Sequence, residues 1–504
     1  MTIPVLLALS TPISAAAVLC SALLLAPGAA RGQQFDRYGG FLDIKGKRTG
    51  FFHTERIDDR WWLVTPDGHG FFGIGVSHPI TSMSEGAITF AYDGSQEKWM
   101  RDGIRKMREL GFNCVWSGPY SLERIRFGNI DADLADKVYR EAEIPYAIHV
   151  PLIKHQVELK PGEKRPDVFG AEYREFVRGE VAKRVAPNKD NPWVLGYYYG
   201  YGSFMREDRW INETLSYEPG SPGRERLLDV LEERYGDIAK LNTVYGTSFA
   251  SFPDLRKNGS LEYPRWISAV KAGGPLPERT GSKNILADAE ALLGEIVEQL
   301  HKVSHAEISK HDSNHMVLGS YVKHTTYTKG IWKRIAPYID ALGPQDLSDV
   351  NPIKPSVEAT GVPAMLSDQE FGNVYPLALQ GKTGAPGAVP DHVDRRVLYD
   401  LLAVRIARDP DFIGVSYCAV LYDQSHWRRA YDRGQPGFFN IDGEPNRSLV
   451  ETVRNANQQM LDSVREPLDE TSIGELHDSY YETKAAYRLI MEQRLELLKK
   501  GKDK

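Results

Sequence analysis

The 504 residues are 41% hydrophobic and 26% charged, with 45 glycines and a formal net charge of −6 at pH 7. That balance fits an ordinary globular chain of one large domain or two smaller ones. No basic block stands out to neutralise phosphates, which argues against a nucleic-acid partner; the basic ending LLKKGKDK reads as a solvated tail.

The chain opens on IPVLLALSTPISAAAVLCSALLLAPGAA, apolar and rich in small residues, and then turns polar at RGQQFDRYGG. Residues 1–32 read as a secretory signal peptide cleaved near Ala30 or Gly32, which implies a secreted or periplasmic protein. Cys20 lies inside this leader behind Leu19, a poor context for lipidation. No later apolar run is long enough to cross a membrane, so no membrane contact is expected once the leader is removed. Cys114 and Cys418 fall inside apolar runs and are expected to be buried free thiols.

Residues 33–70 form an N-terminal hairpin segment, in which RWWLVTPDGHGFFGIGVSH turns at Pro66-Asp67-Gly68 and feeds a buried strand over 71–77. The amphipathic stretch EKWMRDGIRKMRELG predicts a helix over 96–110 that Gly111 stops. FNCVWSG, a helix near 130–142, and IPYAIHV follow in turn. A helix over AEYREFVRGEVAKRVA then precedes the strand WVLGYYYG. Later strands are HMVLGSYV, YIDALGPQD, VPAMLSDQEFG and FIGVSYCAVLY, which makes eight, mostly separated by helices.

The expected fold is therefore α/β: a (β/α)₈ TIM barrel over residues 71–465, with its chemistry at the carboxyl ends of the strands. A segment of about 203–312 is far longer than one crossover needs and reads as a helical insertion between strands four and five. Residues 466–504 read as a C-terminal helical tail.

Three stretches carry a resemblance: DDRWWLVTPDGHGFFGIGVSH, ERYGDIAKLNTVYGTSFASFPDL and GFFNIDGEPNRSLVETVRNANQQM. In this order they resemble the agarase-type glycoside hydrolases of family 50, within the clan A barrels. The resemblance implies hydrolysis of a galactan-like polysaccharide or its oligosaccharides, without a cofactor. It also implies two catalytic carboxyl groups, about 5–5.5 Å apart if the enzyme is retaining. An inverting route needs about 6.5–9.5 Å.

Both of the family's catalytic positions depart from its pattern. Laid on GYYYGYGSF, the Asn-Glu pair after strand four falls on Tyr201 and Gly202, so the usual proton donor is missing. On strand seven the nucleophile's position is Asp368, with Glu370 two residues on and pointing to the same face. Replacement acids are Glu207, Asp208, Asp346 and Asp423, with Glu207 and Asp346 leading. The pair Asn212-Glu213 comes too late after the strand to replace the lost one easily.

Polar and aromatic residues at predicted strand ends supply candidate sugar contacts. From the first four strands these are His78, Trp116, Tyr199 and Tyr201. From the later ones they are Tyr321, Lys323, His324, Gln345, Tyr422, His426 and Trp427. Alternation puts at least one tyrosine of the run 197–199 in the core. Lys154, His155, Lys323, Arg428 and Arg429 suit a sulfate or uronate. Two other classes stand beside the hydrolase: a carbohydrate-binding protein that kept the fold without the acid, and a transglycosylase or lyase on the same scaffold. The oligomeric state stays open.

Overall fold

The computed structural model describes residues 34–77, 79, 85–118, 131–153, 163–201, 207–271, 273–323, 325–345, 351–369, 373–374, 388–389, 402–418, 421, 437–440, 442–445 and 447–466, with positions 482, 485–486, 489 and 493 beyond them. Residues 1–33, most of 467–504 and several stretches between barrel strands lie outside that set.

Four short strands come first: β1 (Phe41–Lys45), β2 (His53–Ile57), β3 (Arg60–Val64) and β4 (His69–Phe71), paired antiparallel in the order β1-β4-β3-β2. The turn from β3 to β4 passes through Gly68, whose φ of +87° lies in the left-handed region that glycine adopts at no steric cost.

The next strands are β5 (Gly73–Val76), β6 (Cys114–Val115), β7 (Tyr146–His149), β8 (Val194–Tyr201), β9 (Met316–Lys323), β10 (Pro344–Gln345) and β11 (Ala364–Gln369). With β14 (Phe412–Tyr417) they close an eight-stranded barrel, all parallel. Two bridging strands, β12 (Asn373–Val374) and β13 (Ala388–Val389), pair with each other outside the barrel. All eight strands read from the sequence as barrel strands close the barrel, and the fold is the expected (β/α)₈ barrel.

The antiparallel sheet covers the amino end of the barrel. Tyr38 packs its ring 4.4 Å from that of Trp193, just before β8, and Phe51 meets His315 just before β9. Trp61 donates its backbone N–H to Pro410, ahead of β14. The carboxyl end is left as the mouth.

Inside, one indole does much of the filling. Trp116 is fully buried, and a Cβ on Gly73 or Gly75 would come within 2.5 Å of its ring. On Gly414 it would come within 2.9 Å. Three glycines on the adjoining strands β5 and β14 thus make the bed on which the indole lies, and burying it contributes roughly 4–6 kcal/mol of transfer free energy. Cys114 and Cys418 are both buried and take part in no disulfide among the described residues.

Between β8 and β9 run helices Glu207–Leu215, Pro222–Tyr235, Ile238–Tyr245, Phe252–Asn258 and Trp266–Lys271, then a 30-residue helix, Ser282–His311. The long helix packs on barrel helices Ala171–Arg184 and Lys329–Ile335, and equally on the preceding helices of the segment. Its buried Asp288 accepts hydrogen bonds from Arg234 (2.7 Å), Tyr235 (2.6 Å) and Tyr245 (2.6 Å), so the cost of burying a carboxylate is offset by three donors. Among the described residues, no helix is long and apolar enough to cross a membrane.

At the base, Asp312 ends the long helix and accepts from His315 Nδ1 (2.6 Å) and the Tyr197 hydroxyl (2.6 Å). Burial opposes its ionisation, but the hydrogen bonds and charge of His315, with the Tyr197 bond, outweigh it and hold the carboxyl at about 2. A carboxyl depressed in the folded state stabilises the fold above its unfolded value, and that stability is lost as pH falls from about 4 to 2. Urea titrations across this range should show Asp312→Asn less stable by about 2–3 kcal/mol at neutral pH, with the gap closing towards pH 2.

Candidate active site

The barrel sends its strand ends, and whatever side chains they carry on the inner face, to one mouth. Asp368 is the next-to-last residue of β11 and pairs in register with Gln345, the last residue of β10. Gln345 Nε2 donates to Asp368 Oδ2 at 3.2 Å, which orients the carboxylate. Gln345 pairs in turn with Lys323 at the end of β9. Lys323, Gln345 and Asp368 thus form a row across three adjacent strands: an exposed ammonium, a buried amide and a half-buried carboxylate.

One layer deeper lies a stack of rings. Tyr321, two residues before Lys323, donates its hydroxyl to the Trp116 carbonyl at 3.0 Å. Its ring lies parallel to that of Tyr198 at 4.6 Å, and the Tyr198 ring lies against His149 at 4.9 Å. Burial, with the neighbouring Tyr198, Cys114 and Asp368, pushes the Tyr321 hydroxyl well above the usual range, so it serves as a neutral donor.

Of the residues singled out from the sequence, Asp368, Gln345 and Lys323 come together at the mouth. Trp116 and Tyr321 are fully buried and form its floor, where no substrate touches them. Tyr199 is corrected outright: it points away from the barrel interior, 1% exposed, with its ring against His301 of the long helix. Alternation decides this, since Tyr198 takes the inner face. Glu370, Asp346, His78, His324, Tyr422, His426 and Trp427 lie outside the described residues, as do Lys154, His155, Asp423, Arg428 and Arg429. The same holds for the side chains of Glu207, Asp208 and Tyr201, whose backbone alone is placed.

Asn212 and Glu213 have structural work. Asn212 holds the backbone of Tyr263 through both amide atoms (2.9 and 2.7 Å), and Glu213 binds the backbone N–H of Arg165 (2.7 Å) and its guanidinium. His149, the last residue of β7, was not singled out from the sequence and lies buried in the ring layer. In the sequence it is only a histidine closing the apolar run IPYAIHV, with no motif around it.

Where β8 reaches the mouth its register shifts between Tyr198 and Gly200, and Gly200 takes a φ of +124°. A Cβ there would also stand 3.1 Å from His149 Nε2. Only glycine fits this backbone and this neighbour together.

No protein-family model matches the chain. Among curated proteins it is similar to "Beta-agarase B" of Vibrio sp. (strain JT0107), 24% identical over 494 residues, an alignment that takes in 84% of this chain and 50% of that protein. The chain thus spans about half the length of the curated relative it matches. Among solved structures it superposes on the agarase AgWH50C with a TM-score of 0.63 at 17% identity, over 86% of this chain and 68% of that one. PfGH50B gives 0.64 at 18% identity, over 86% and 69%. An exo-beta-agarase gives 0.62 at 18%, over 86% and 68%. These structures share the fold, and the agarase-like resemblance carried by the three sequence stretches stands.

Gly200→Ala should cost about 1–3 kcal/mol, because alanine must take up a glycine-only backbone against the imidazole. Urea unfolding of the variant beside the parent measures the loss.

Proposed function

We propose that this chain is a glycoside hydrolase acting on a galactan-like polysaccharide or its oligosaccharides, as agarases do, with Asp368 facing the anomeric carbon. The observation that carries the reading is Asp368 itself, a carboxylate at the end of the seventh barrel strand, fixed by Gln345 at the mouth. Similarity to a protein named as a beta-agarase supports the substrate class. Glu370, two residues on, is the second candidate for the same role. Lys323 beside the carboxylate suits a substrate that carries sulfate or another anionic group. Export through the 1–32 leader fits a polymer too large to enter a cell.

Asp is one methylene shorter than the Glu usual at this position, so its hold on the right rotamer matters more. Gln345 supplies that hold with an amide that stays uncharged at any working pH.

A second reading rests on one specific observation, the loss of the Asn-Glu pair at Tyr201 and Gly202. It makes the chain a carbohydrate-binding relative without turnover.

The test is incubation with agarose and other red-algal galactans, with products followed by chromatography and mass. The parent should release oligosaccharides, and Asp368→Asn should cut the rate by ~10³-fold or more. Binding without cleavage by the parent would establish the second reading instead. Gln345→Leu should lower kcat by about 10–100-fold with little change in KM, since it misplaces the carboxylate without removing a sugar contact.

A further inference from the structure

His301 stands well inside the long helix Ser282–His311, on the side that meets the barrel wall, and is fully buried. Its Nδ1 donates to the Val297 carbonyl one turn back at 2.8 Å, so in the neutral ring Nε2 carries the lone pair. That buried nitrogen has no hydrogen-bond partner among the described residues. From β9, Gly319 approaches it with a φ of +66°, and a Cβ there would stand 3.1 Å from Nε2. From β8 the ring of Tyr199 lies 5.4 Å away. The Tyr199 hydroxyl is also buried and without a partner among the described residues, so the two side chains do not bond to each other.

We propose that His301 is an acid-sensitive latch between the crossover helix and the barrel, sealing the helix to β8 and β9 while the imidazole is neutral and releasing it once protonated. A proton added at Nε2 would bring a charge and a second N–H donor against Gly319 and the Tyr199 ring, with Ile339 beside them. A charge buried without a partner costs far more there than in water.

The titratable groups around the ring do not offset that cost. Tyr199 from β8 and Tyr173 from the helix Ala171–Arg184 are buried phenols, which burial pushes up and keeps neutral. Asp340, ahead of β10, accepts from the Val317 N–H (2.7 Å) and bears on Tyr199 and His305. On the helix itself, Glu298 is paired with Arg334 (2.7 Å), and His305 lies against the ring of Tyr338. Burial therefore lowers the His301 imidazole to about 4, opposed by the bond to Val297.

A base held below its unfolded value takes up its proton more readily once the helix opens. The closed state keeps its full stability above about pH 6.5 and loses it as pH falls from about 6.5 to 4. Asp312 titrates below this window. The helix leads directly into β9, which ends at Lys323 in the row at the mouth, so its release loosens a strand that builds the candidate site.

The test is hydrogen exchange of the full chain, followed by mass spectrometry at about pH 7, 5.5 and 4.5. With the intrinsic pH dependence of exchange divided out, opening of residues 282–323 in the parent should rise about 10-fold by pH 5.5 and ~10²-fold by pH 4.5. His301→Leu and His301→Gln, which cannot take up the proton, should each change by less than about threefold over that range. Opening of 282–323 that is flat with pH in the parent, or variants that keep the parent's slope, overturns the proposal. If neither variant folds, the parent decides alone: a slope confined to 282–323 upholds the latch, and the same slope in the helix Gln96–Glu109 overturns it. No substrate enters the measurement, so its outcome is independent of whether the chain cleaves a galactan.

Discussion

Closure of the sheet through β14 and β5 is the constraint on which the rest of the molecule depends. The seam pairs Gly414 with Gly73, and the space that those two residues leave is taken by the indole of Trp116, which directly follows β6. A parallel sheet closed this way has no edge to protect and needs a crossover outside the ring between successive strands. All eight carboxyl ends therefore emerge on one side, opposite the antiparallel sheet that covers the base. The row Lys323, Gln345, Asp368 exists because three consecutive strands end in register there.

Much of this was legible in the residues. Buried parallel strands read as short apolar runs, and all eight were found where the runs lie. The helix Gln96–Glu109 begins behind Ser95, whose side chain accepts from Lys98, and gives out before Gly111 in the left-handed region, as its pattern implies. What failed had a common physical cause: it depends on pairs of strands that the sequence does not bring together. Trp116 follows a strand and looks like a sugar platform, but the glycines that draw it into the core sit far away on β5 and β14. Tyr199 looks like a mouth residue until the inner face is fixed by the stack of Tyr198 on Tyr321. His149 was hidden for the opposite reason, since a lone histidine at a strand end carries no motif.

The mouth shows how a polar site is set on an apolar floor. Tyr321 reaches across the barrel to the Trp116 carbonyl and leaves its ring face to Tyr198, so the layer beneath the carboxylate is dense and rigid. Above it Gln345, itself buried, has a carboxylate oxygen of Asp368 as acceptor, an arrangement that satisfies the amide and orients the acid in one contact. Position and chemistry are thus settled together by a strand register.

The long helix Ser282–His311 has a consequence for how such a barrel can change over evolutionary time. It is at once the crossover that carries the chain from β8 to β9 and the spine on which the helices after β8 are fastened through Asp288. The added segment is therefore not a cassette that can be lifted out and replaced by a short loop. Removing it would take away one of the barrel's own staves. Descendants of this chain can vary the cleft by altering the five shorter helices, whereas the spine must travel with the barrel.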